Sequence, residues 1–171
     1  MALNDLSTLK EELFRTIGGY LGYQNIEARL KSDKIFRRFV ADKMSVIKHD
    51  FLQASGRMNH AGKYRLSDSL NKLIGQIDNL IHCLSESSKN RPEFFAHAEV
   101  DRDTLEKLYS YDSQLTTNLD ILKDESFVLT SNEEDSELRD CLNHLFDILD
   151  NLNLLLIERE YIIQGGKEDT V

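Results

Sequence analysis

Leu66 to Glu86 (LSDSLNKLIGQIDNLIHCLSE) and Leu138 to Glu158 (LRDCLNHLFDILDNLNLLLIE) align without a gap at an offset of 72, and ten of the 21 positions are identical. The shared leucines, Leu66/Leu138, Leu70/Leu142, Leu73/Leu145, Leu80/Leu152 and Leu84/Leu156, fall at helical spacing. The chain therefore has to bury one amphipathic helix twice. Each copy also follows another helix-like segment. The spacing thus predicts an α-hairpin used twice and packed on itself as a pseudo-twofold bundle. The expected fold class is all-α: a bundle of about five helices built from two related antiparallel α-hairpins plus an N-terminal helix.

A length of 171 residues suits one domain. Within 1–171 the expected division is an N-terminal helix and Gly-rich hinge over 1–32, one hairpin over 33–88 and the second over 101–164. One proline, no tryptophan and 30% charged residues fit a helical domain better than a turn-rich β fold. The start MALNDLSTLKEEL is acidic and amphipathic and reads as no export signal. No run approaches the roughly 20 apolar residues of a membrane span. The two cysteines, Cys83 and Cys141, make neither a disulfide framework nor a zinc pattern. A reducing cytoplasmic setting is expected.

The net charge of −9 is unevenly spread. Residues 27–65 carry ten Lys/Arg against four Asp/Glu, and residues 93–150 carry 16 acids against four bases. The plain reading is mutual attraction inside one bundle or solvated faces; the alternative is a basic surface for an anionic partner.

Apolar stripes place helices near residues 5–20, 33–55, 67–87, 104–124 and 135–164. The first uses Leu6, Leu9, Leu13 and Ile17, and the glycines of GGYLGY weaken its continuation. The second buries Phe36, Val40, Met44, Ile47 and Phe51, and the fourth Leu105, Leu108, Leu115, Leu119 and Leu122. In the fourth, Asp112 stands where an apolar residue is expected. Asp101 and Asp103 are candidate caps for it.

The last helix carries a core stripe of Leu138, Leu142, Leu145, Leu149, Leu152, Leu156 and Ile163 and a second stripe, Cys141, Ile148, Leu155 and Ile162, one residue per heptad. Its repeat partner has the more polar Ser69, Gln76 and Cys83 at the first three of those positions. The second stripe must be hidden from water, either by the N-terminal helix or by another subunit. A homodimer, or a protein partner bound through the last helix, is the expectation.

The segment IKHDFLQASGRM sets His49 about 200° around its helix from Ile47, away from the core stripe. It resembles the phosphoaccepting helices of two-component histidine kinases and histidine phosphotransfer domains, which implies phosphoryl transfer to His49. Leu52 and Gln53 stand where a phosphotransfer domain has lysine and glycine. The plainer reading is a solvent-facing histidine. Arg91 and His97 in NRPEFFAH have a spacing similar to that of helical ribonuclease domains of the HEPN type, which implies nuclease chemistry there; Pro92 interrupts a helix between them. Asp78 with His82 and Asp140 with His144 have i, i+4 spacing but read as surface pairs. No metal, cofactor, membrane or nucleic-acid partner is expected, and the function expected is a non-enzymatic interaction or scaffolding module.

Overall fold

The computed structural model describes residues 6–86, 100–131 and 134–164. These form five α-helices: α1 Leu6–Thr16, α2 Ile26–His60, α3 Tyr64–Glu86, α4 Arg102–Ser131 and α5 Asp135–Ile163. No strand occurs among the described residues.

The helix starts follow from local capping. The Asn25 side chain accepts a hydrogen bond from the Glu27 backbone N–H at 3.0 Å, so α2 begins well before Asp33, where the apolar pattern alone would start it. Asp101 caps α4: its Oδ1 accepts from the Thr104 backbone N–H at 2.7 Å and its Oδ2 from the Thr104 hydroxyl at 3.1 Å. That backbone bond is the main reason the Asp101 carboxyl titrates below its ordinary value. α4 also runs further than its leucine pattern, reaching Ser131 with Ser126 and Leu129 buried.

α2 packs on α3 and α4 on α5, each pair an antiparallel hairpin, and the hairpins meet through α2 on α4 and α3 on α5. Lys63 pairs with Asp135 at 2.8 Å and Gln76 donates to Asp150 at 3.4 Å, so α3 and α5 run parallel. Round the bundle the order is α2, α3, α5, α4, with like helices as neighbours. A twofold along the bundle axis would instead set them on the diagonals. Asp78 bonds Lys48 of its own hairpin, whereas its repeat counterpart Asp150 meets Gln76 of the other hairpin. The repeat thus holds for the helix and its core stripe but not for each helix's neighbours, and the packing does not display the expected pseudo-twofold.

Phe36, Val40, Met44, Ile47, Phe51, Leu70, Leu73, Leu119, Leu142, Leu145 and Leu152 form the shared interior. α1 lies on α4 and buries Leu13, with Ile17 just beyond it. The strap from Ile17 to Asn25 then turns back over the bundle end, using Gly22 at φ 76° in the left-handed region. A Cβ on Gly22 would lie 2.4 Å from the Tyr109 hydroxyl oxygen. Gly75, by contrast, sits mid-helix on α3 with open space where its Cβ would be. Gly22→Ala should cost about 1–3 kcal/mol, while Gly75→Ala should add up to about 1 kcal/mol. Urea unfolding followed by circular dichroism checks both signs.

Candidate functional site

Asp112 is a core residue. The position that breaks the leucine stripe of α4 is fully buried, and its carboxylate accepts from Arg159 Nε at 2.6 Å, Tyr20 OH at 2.7 Å and Tyr23 OH at 2.5 Å. Arg159, the largest fully buried side chain, fills the gap that the α5 stripe leaves between Leu156 and Ile163. Besides Asp112, its guanidinium reaches Asp33 Oδ1 at 2.9 Å and donates to Tyr23 OH at 2.8 Å, and its central carbon lies over the Phe36 ring, 4.5 Å from the centroid. Asp33 also accepts from Arg37 Nε at 3.0 Å, and Arg37 pairs with Glu160. One charge network therefore joins the strap, α2, α4 and α5 at one end of the bundle.

Around it the strap is stitched down. Tyr23 N donates to Tyr109 OH at 2.7 Å, Leu21 N to Ser32 Oγ at 3.0 Å, and Arg29 Nε to the Tyr23 carbonyl at 2.7 Å. The Tyr20 and Tyr23 rings meet edge to face, with centroids 5.6 Å apart. Burial alone would pull the Arg159 guanidinium down, but Asp112, Tyr23 and Asp33 more than offset it and hold its pKa well above the ordinary value. Burial pushes the Asp112 carboxyl up, opposed by Arg159 and the hydrogen bonds it accepts. Burial likewise pushes the hydroxyls of Tyr20, Tyr23 and Tyr109 above their usual 10.0, with the Asp112 charge adding to each.

Chemically this is a clamp. Every acid in it faces an arginine, and every tyrosine hydroxyl has a partner. The network accounts for part of the basic excess in residues 27–65, since Arg29 and Arg37 are buried here. Lys43, Lys48 and Lys63 pair with Asp120, Asp78 and Asp135.

The last helix differs from its expected role. Cys141, Ile148 and Leu155 are buried within the single chain and Ile162 is partly buried, so this stripe presents no open seam. The Cys141 thiol points at the Glu125 carbonyl on α4, 3.6 Å away, and burial together with the Glu125 charge pushes it up to about 11. α4 and α3 are the neighbours of α5, while α1 leans on α4. The expectation that a partner must hide the stripe thus loses its premise.

His49 is exposed on α2, with Gln53 Nε2 2.8 Å from its Nε2. Asp78 is engaged by Lys48, and His144 stands 3.5 Å from Glu125. Among the described residues no group of three or more His, Cys, Asp and Glu is placed to hold a metal ion. No helix among them is long and apolar enough to cross a membrane. Arg91 and His97 lie outside the described residues. No protein-family model, curated protein or solved structure matches the chain.

The clamp predicts two outcomes. Arg159→Met leaves Asp33 and Asp112 buried without their shared cation and should cost about 3–5 kcal/mol in urea unfolding; a loss below about 1 kcal/mol would show the network to be dispensable. The tyrosines titrate in the unfolded chain near 10.0 but keep their protons when folded, so their contribution is intact below that pH and drains away as pH rises through it. Alkaline titration followed at the tyrosinate band should show Tyr20, Tyr23 and Tyr109 ionising only as helical circular dichroism is lost.

Proposed function

We propose that the chain is a non-enzymatic interaction module of the cytoplasm that associates with a second copy of itself through its last helix. The observation that carries this reading is the outer face of α5. Leu154, Ile157 and Tyr161 follow one another at helical spacing and are 60%, 55% and 46% exposed, although the inner stripes of the same helix are already buried. A helix face set against its own copy about a twofold axis is the simplest way to cover such a strip. The buried clamp supports a scaffold because it ties α5 to α2 and α4 at the end where the strip lies.

Light scattering on the purified protein tests the reading. A dimer at tens of micromolar, converted to monomer by Leu154→Glu/Tyr161→Glu with helical circular dichroism retained, is expected; a wild-type monomer at that concentration overturns it. A second reading, phosphotransfer through His49, draws on one observation: the imidazole is exposed in the middle of a helix of a four-helix core. It requires acid-labile phosphate on the protein after incubation with a kinase or acetyl phosphate, absent from His49→Ala. An unchanged intact mass with both donors rejects it.

A further inference from the structure

At the end of the bundle opposite the clamp, the α2–α3 turn and the starts of α3 and α5 enclose an open groove of about 860 Å³. That volume is in the range of sites that hold a small ligand or a few side chains of a peptide. Its floor is apolar, made by Leu66, Leu142 and the partly buried Phe146, and Tyr64 stands at its rim with 66% exposure. Three cations line it, Lys63, Arg65 and Arg139, against the single carboxylate of Asp135. Lys63 is engaged with Asp135 at 2.8 Å. Arg65 and Arg139 are both exposed, and neither forms an ion pair within the described structure. In a chain of net charge −9, the lining of this groove carries three cations against one acid, and two of its guanidinia stand unpaired beside an apolar floor.

We propose that this groove binds a short acidic peptide segment of a partner protein, one that carries carboxylates beside an aromatic or leucine side chain. The carboxylates pair with Arg65 and Arg139, whose planar guanidinium forks suit carboxylate geometry. The apolar side chain lies on Tyr64 and Phe146. Charge complementarity selects this occupant over a nucleic acid. Two guanidinia neutralise one or two charges, which fits a segment with no more than two carboxylates, whereas a phosphate backbone carries a charge at every nucleotide and would run on past them into Asp68, Glu137 and Asp140, all exposed and within one helical turn of the groove in sequence. The inference deepens the interaction reading by naming the chemistry of a partner. It uses residues at the far end of α5 from Leu154, Ile157 and Tyr161, so either surface can fail while the other stands.

The test is fluorescence polarisation of the full chain with a fluorescein-labelled short peptide carrying two glutamates, one on either side of a single phenylalanine, among glycine and serine residues, beside the same peptide with glutamine for glutamate and a labelled single-stranded oligonucleotide of ten nucleotides. Saturable binding of the acidic peptide is expected, with roughly tenfold weaker binding for each guanidinium removed in Arg65→Gln and Arg139→Gln and for the glutamine peptide. Both arginines are exposed, and an unchanged urea midpoint confirms that the variants fold. Amide shifts in a labelled sample should move at residues 62–69 and 135–146 and not along 154–161. No saturation up to millimolar protein, wild-type affinity in Arg65→Gln/Arg139→Gln, equal binding of the glutamine peptide, or tighter binding of the oligonucleotide would each overturn the proposal. The Leu154→Glu/Tyr161→Glu variant should bind the peptide as wild type does whether or not it is a monomer.

Discussion

The bridging of Asp33 and Asp112 by one guanidinium, that of Arg159, is the constraint around which the rest of this bundle is arranged. A guanidinium and two carboxylates removed from water are tolerable only when their geometry is close and their remaining hydrogen-bonding positions are filled. Here Asp33 comes from α2, Asp112 from α4 and Arg159 from α5, so satisfying the three charges fixes the relative height of three helices. Leucine stripes specify this less sharply, because similar residues recur at every turn, whereas a buried charged position has one partner and so singles out one register. A one-turn slip of α5 would move Arg159 away from both acids and leave them uncompensated. The clamp therefore supplies register where the hydrophobic core supplies cohesion.

The same constraint explains the strap. Asp112 has acceptor capacity beyond what Arg159 uses, and it is filled by the hydroxyls of Tyr20 and Tyr23. Those tyrosines can reach it only if the chain between α1 and α2 doubles back tightly, which the glycines of GGYLGY permit. Close approach to the Tyr109 hydroxyl then excludes any side chain at Gly22. A composition that looks like a loose hinge is a closely fitted cover. α1 is placed by it as well: once the strap is pinned, Leu13 and Ile17 are delivered onto the bundle rather than onto the last helix.

Much of this is legible in the order of the residues. The leucine repeat locates α3 and α5, the α2 stripe Phe36, Val40, Met44, Ile47 and Phe51 is buried as its spacing requires, and Asp101 does cap α4. Charge attraction between the basic and acidic halves is visible in Lys43 with Asp120 and Lys63 with Asp135. The clamp leaves a signal too, in the misfit of Asp112 and in the unfilled step between Leu156 and Ile163, but a polar residue in a stripe does not name its partner. Asp33 is harder, since an acid just ahead of an apolar run reads as a helix start, and its i, i+4 pairing with Arg37 is common on a solvated face; only tertiary contact with Arg159 shows it to be interior. Periodicity also does not say which neighbour takes which flank of α5. The second stripe faces inward because α5 has α4 on one side and α3 on the other, leaving the outward angle to Leu154, Ile157 and Tyr161.

The two ends of the bundle treat arginine in opposite ways, and the contrast is informative. At the clamp, Arg37 and Arg159 are buried and paired. At the groove, Arg65 and Arg139 stand beside buried leucines with no acid attached, although the chain has acidic residues to spare. That arrangement adds little to the fold, since an exposed, unpaired cation contributes little to stability. What separates these two from other exposed cations such as Lys31, Lys34 and Arg57 is the apolar floor of Leu66, Leu142 and Phe146 beside them, the feature on which the proposed peptide rests.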